Sequence, residues 1–77
     1  EGADLFVEAV PSRIAGKTLA ESEIGAITGL SVIAVRGDGE LVTNPPGDFE
    51  LLEGSEVVML GTVTQHQGFV KNFVSGR

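Results

Sequence analysis

Apolar and polar positions along this chain follow two rhythms, a period of two and a period of about 3.6, and these divide it into strands and helices. From Asp4 to Val10 the positions alternate: Leu5, Val7 and Ala9 fall on one face, Phe6, Glu8 and Val10 on the other, and Pro11 ends the strand. Ser12 to Gly16 reads as a loop. Thr18-Leu19-Ala20-Glu21 has the form of a capping box, so a short helix is expected to about Ile24, with Leu19 and Ile24 turned to the core. Gly25 and Gly29 argue against a long continuation.

The apolar run Val32-Ile33-Ala34-Val35 then predicts a buried strand, followed at once by Arg36. Gly37-Asp38-Gly39 predicts a tight hairpin, because glycine supplies the positive φ that such turns need. The returning strand, Glu40 to Thr43, stops at Asn44-Pro45-Pro46, where two prolines remove successive backbone donors. Pro46-Gly47-Asp48 is a turn, after which Phe49, Leu51 and Leu52 are expected in the core. Beyond the turn Glu53-Gly54-Ser55, Glu56 to Gly61 is nearly continuous in apolar residues and is expected to be a central strand. Thr64, with Gln67 three residues on, is read as the N-cap of a last helix. Phe69, Val70, Phe73 and Val74 recur along it at helical spacing, and Gly76 closes it. The order is β-α-β-β-β-α, and the fold class is α+β, mainly an antiparallel sheet with a short helix and a C-terminal helix.

Composition narrows what such a fold can do. All 77 residues read as a single domain, 1–77, and a chain this short buries only about 60% of its extended surface. Only 21% of its residues are charged, which leaves an apolar skin and favours dimerisation or docking on a larger body. The formal net charge of −6 repels phosphodiester backbones, so a nucleic-acid polymer is not an expected partner. A compact phosphate ligand remains accessible through a local cation. Cysteine is absent, and the longest apolar runs fall far short of the ~20 residues a bilayer span requires, so direct membrane insertion is not expected. The chain opens at Glu1-Gly2-Ala3 without a methionine and is read as excised from a larger protein.

Few side chains suggest chemistry. Gly37-Asp38-Gly39 lacks the lysine and following helix of a phosphate loop. His66 is the only histidine; with no second ligand nearby it makes a poor metal site, and it is expected to be solvated early in the last helix. The carboxylates are scattered, without the spacing of a calcium loop. No serine has a nucleophile-elbow context, so no catalytic residue is assigned and an enzyme is not expected. Arg36 stands apart. Its planar fork suits phosphate and carboxylate, and in a hairpin of this length Arg36 and Asn44 are expected near each other at one end. An edge arginine paired with a neighbour such as Glu40 is equally open from the residues alone.

Four motifs occur in a fixed order: Gly16-Lys17-Thr18-Leu19, Val32-Ile33-Ala34-Val35-Arg36, Asn44-Pro45-Pro46-Gly47-Asp48, and Leu52-Glu53-Gly54 before the strand ending Leu60-Gly61. Together they resemble the TrkA C-terminal domain, also called the RCK C-terminal domain, over roughly Phe6 to Val74. The family usually has aspartate after the glycine of the last turn, where this chain has Ser55. The resemblance implies a homodimeric, cytoplasmic regulatory module attached to the membrane-embedded part of a potassium channel or transporter, in the same or a partner chain. It implies no cofactor and no metal site, but a small nucleotide or ion effector, cyclic di-AMP in several relatives, held in the dimer cleft. The matching positions are Ile33, Val35, Arg36, Asn44 and Pro45, one set from each protomer. A ligand-free dimerisation module and a divalent-cation sensor are the rival readings.

Overall fold

The computed structural model describes residues 2–75, so the helix stop expected at Gly76 lies outside the described residues. Strands β1 (Asp4–Ala9), β2 (Ser31–Gly37), β3 (Glu40–Thr43) and β4 (Glu56–Gly61) form one antiparallel sheet in the order β1-β4-β2-β3. The apolar run at 56–61 is central, as its lack of polar interruptions required. Helices α1 (Leu19–Ser22), α2 (Ile24–Thr28) and α3 (Val63–Phe69) complete the α+β domain. No helix among the described residues is long and apolar enough to cross a membrane.

The cross-strand register sorts side chains onto two faces. One face carries the rows Glu8–Val57–Val35–Val42 and Phe6–Met59–Val32. Here Val35, Val57 and Met59 join Ile24, Leu30, Leu51, Phe69 and Phe73 in the core, so this is the face the helices cover. The opposite face carries Ala9–Glu56–Arg36–Leu41, Val7–Val58–Ala34–Thr43 and Leu5–Leu60–Ser31. Leu5, Val7, Leu41 and Leu60 are exposed there. A bulge interrupts β2 against β4 between Val32 and Ala34, with Ile33 as the extra residue.

Helix boundaries depart from expectation for local reasons. Thr18 and Glu21 make the anticipated capping box, but helix continues past Ile24 to Thr28 after a kink at Glu23, whose φ is 58°. The Ser22 hydroxyl donates to the Leu19 carbonyl and accepts from the Ile24 N–H, which ends the first turn and starts the second. Gly29, at φ 83°, then closes α2 through its N–H to the Gly25 carbonyl.

The last helix begins at Thr62, not Thr64. Thr62 accepts from the Gln65 N–H at 3.1 Å and its own N–H donates to Gln65 Oε1 at 2.8 Å. Both Thr-x-x-Gln frames exist in the sequence. The first is chosen because Gly61, which ends β4, and Gly29 leave the space the Gln65 amide fills; a Cβ at either would meet it. After Phe69 the helix widens into a π turn over Val70–Val74, closed by Ser75 N–H to Val70 O at 2.8 Å. Phe69 and Phe73 are buried as expected, whereas Val74 is exposed.

Leu52 is also exposed, contrary to expectation, while Leu51 is fully buried. Extended backbone explains this. Leu51 is pinned between the Lys17 carbonyl and the Gly16 N–H, beside a bridge from Thr18 to Glu50, and consecutive residues in such a segment point in opposite directions.

Candidate functional site

Arg36 lies on the uncovered face, one residue before the end of β2. Its Nε and Nη2 both donate to Glu56 Oε1, at 2.9 and 2.5 Å, and the two side chains are 57% and 41% exposed. The partner is Glu56 and not Glu40. Glu40 pairs with Gly37 across the hairpin and falls on the other face, whereas Glu56 lies directly opposite Arg36 in the β2–β4 ladder.

The hairpin turn forms as expected, with Asp38 at φ 51° and Gly39 at φ 75°, a primed two-residue turn. Gly37 before it is needed for a different reason: a Cβ there would run into the Ser55 hydroxyl. This turn closes on Gly37 and Glu40, so Arg36 pairs with Leu41, while the Asn44 N–H reaches back to the Ile33 carbonyl at 2.8 Å. Arg36 and Asn44 therefore sit at opposite ends of the β2–β3 ladder, about 10 Å apart along the strand at ~3.4 Å per residue. The expectation that they share one end is corrected.

The other site positions divide between the faces. Ile33, half-buried in the bulge, belongs neither to the core nor to the side chains packed on it. Asn44 is exposed with φ 49°, and Pro45 beside it is half-buried. Val35 is 3% exposed and packs in the core, on the face opposite Arg36. On that side it borders a shallow groove with Val42, Phe49 and the carboxylates Asp38, Glu40 and Glu50. The structure thus leaves Arg36 on the uncovered side at one end of the β2–β3 ladder, brings Ile33 beside Asn44 at the other end with Pro45 next in the chain, and puts Val35 on the opposite face.

His66 is not solvated. Its ring stacks on Phe6 at 4.2 Å between centroids and 6° between planes, and its Nε2 lies 2.6 Å from Glu8 Oε2. Phe6 and Glu8 share a face of β1 by the period of two, and His66 shares a helix face with Phe69, three residues on. That spacing is the signal that places the ring against the sheet. Among the described residues no cluster of three or more His, Cys, Asp or Glu could hold a metal ion.

The TrkA-C domain family model matches residues 5–73, nearly the whole chain. The chain belongs to this family. In structure it is similar to the GsuK RCK domain, with 33% identity and a TM-score of 0.83, over 92% of this TrkA-C domain but only 16% of that longer chain. It is also similar to the RCK C domain of the potassium transport protein KtrA in complex with cyclic diadenosine monophosphate (c-di-AMP). There the identity is 22%, the TM-score 0.85, and the coverage 92% of this chain and 84% of that one. The RCK_C domain dimer of BusR from S. agalactiae, also in complex with c-di-AMP, aligns over 92% of this chain and 90% of its own with a TM-score of 0.81 at 16% identity. At 22% and 16% identity these last two share the fold. No protein of curated function matches the chain in sequence.

Proposed function

We propose that this TrkA-C domain is a non-enzymatic, ligand-sensing domain on the cytoplasmic side of a potassium channel or transporter. Two copies meet through their uncovered sheet faces and share one anionic effector between their Arg36 side chains. The observation that carries this reading is the face itself: three apolar rows whose only charged members are Arg36 and Glu56, on a chain of net charge −6. Elsewhere two such anionic copies repel; here the opposed charges cancel and apolar area is available for burial. A two-fold axis through this face sets two arginines around a common centre, which matches the two phosphates of c-di-AMP, the ligand of the KtrA and BusR domains.

Binding shifts a gate only if the ligand prefers one dimer geometry over another, so the proposed signal is a change in the angle or spacing of the two sheets. Calorimetry with c-di-AMP, alongside sedimentation at several protein concentrations, tests the reading. The expected result is a dimer that takes one ligand, with binding lost in Arg36→Ala. A dimer that gives no heat at high micromolar c-di-AMP would leave a ligand-free dimerisation module, and a monomer at all concentrations would end the shared-site idea.

A further inference from the structure

We propose that Glu56 is a resident competitor for the anion that Arg36 receives, and that it sets the ligand concentration at which the site responds. This rests on the shared-ligand reading above and adds a residue to it. The motif that draws attention to Arg36 contains no glutamate in position to pair on the same face. Glu56 comes from β4, twenty residues further along the chain, and the ladder places it opposite the guanidinium.

The geometry of the pair suits exchange. Two N–H groups of Arg36 converge on a single carboxylate oxygen. A phosphate offers each N–H its own oxygen, which is the arrangement a guanidinium fork satisfies best. Both side chains are substantially exposed, so the pair opens into solvent and the released carboxylate rehydrates. After release it remains anchored on the neighbouring strand, about 4.8 Å away in the sheet, where its negative charge opposes an arriving phosphate. Both effects weaken binding of an anion. Apolar neighbours on the same rows, Leu41 and Ala9, supply no alternative counter-charge for Glu56.

The test compares wild type, Glu56→Gln, Arg36→Ala and the double variant by calorimetry with c-di-AMP. Glu53→Gln, an exposed charge change in the turn before β4, serves as the control. Glutamine keeps the length and an acceptor oxygen but removes the charge. Glu56→Gln is expected to bind about three- to tenfold tighter, of which up to about fivefold is the exposed pair and the remainder like-charge repulsion. Its affinity should fall more steeply with salt, because Arg36 is no longer neutralised in the free protein. Glu53→Gln should bind as wild type does, and Glu56→Gln should not restore the binding lost in Arg36→Ala.

Measurable binding by wild type with tighter binding by Glu56→Gln supports the proposal. Wild-type binding with Glu56→Gln no tighter overturns it while leaving the shared-ligand reading intact. A similar gain in Glu53→Gln, or in the double variant relative to Arg36→Ala, also overturns it, since net charge alone would then account for the effect. If neither wild type nor Glu56→Gln binds, both readings fall together.

Discussion

Among the described residues each face of the sheet carries a carboxylate paired with a basic side chain, and the surroundings of the two pairs differ in every respect that matters. On the covered face His66 reaches Glu8 with its ring stacked on Phe6 and with Phe69 beyond, and the two side chains are 22% and 32% exposed. On the uncovered face Arg36 reaches Glu56 with no ring above it and about twice the exposure. The first pair fastens a helix to an edge strand and is fixed by packing. The second holds no two elements together beyond what the ladder already does. A charge pair that packing does not hold in place is free to trade partners, so the pair of lesser structural weight carries the functional proposal.

This contrast makes testable claims of decreasing size. Phe69→Ala, which empties the covered side, should cost about 3–5 kcal/mol in chemical denaturation. Loss of under 1 kcal/mol would mean the helices are not the true cover. Next comes the helix start. Thr62→Ala should cost about 0.5–2 kcal/mol by removing a cap hydrogen bond, whereas Thr64→Ala should be close to neutral. Equal effects would show that the cap is shared between the two frames. Smallest are the changes on the uncovered face: Leu5→Ala and Arg36→Ala should each alter stability by no more than about 0.5 kcal/mol. Leu5→Ala should nonetheless loosen self-association in sedimentation, and Arg36→Ala should not disturb the fold while it abolishes ligand binding. A large drop in stability for either would erase the distinction between the faces.

Local patterns were legible in the sequence and long-range registers were not. The alternation at 4–10, the Asp38-Gly39 turn, the Thr18 capping box and the central position of 56–61 all follow from neighbouring residues, and the structure contains each of them. The last helix was harder because two Thr-x-x-Gln frames satisfy the same local rule. What separates them is room for the Gln65 amide beside Gly29 and Gly61, which are distant in sequence or belong to another element. The partner of Arg36 was out of reach for a similar reason. Glu40 is near in sequence, but the hairpin puts it on the other face, and Glu56 arrives only through the pairing of β2 with β4. His66 was misplaced because a lone polar residue near a helix start reads as solvated until the strand beneath it is known.

The bulge at Ile33 has an effect out of proportion to its size. Side chains on a strand alternate strictly, so one supernumerary residue inverts the parity of everything after it. Val32 points to the helices, and if Ile33 were paired in strict alternation instead of bulged, Val35 would point outward and Arg36 inward. The orientation of the cation therefore depends on the bulge absorbing Ile33 and not on the arginine alone. Inserting one residue between Ala34 and Val35, with no second bulge to absorb it, would leave every chemical group of the site in the sequence and turn the guanidinium toward the helices.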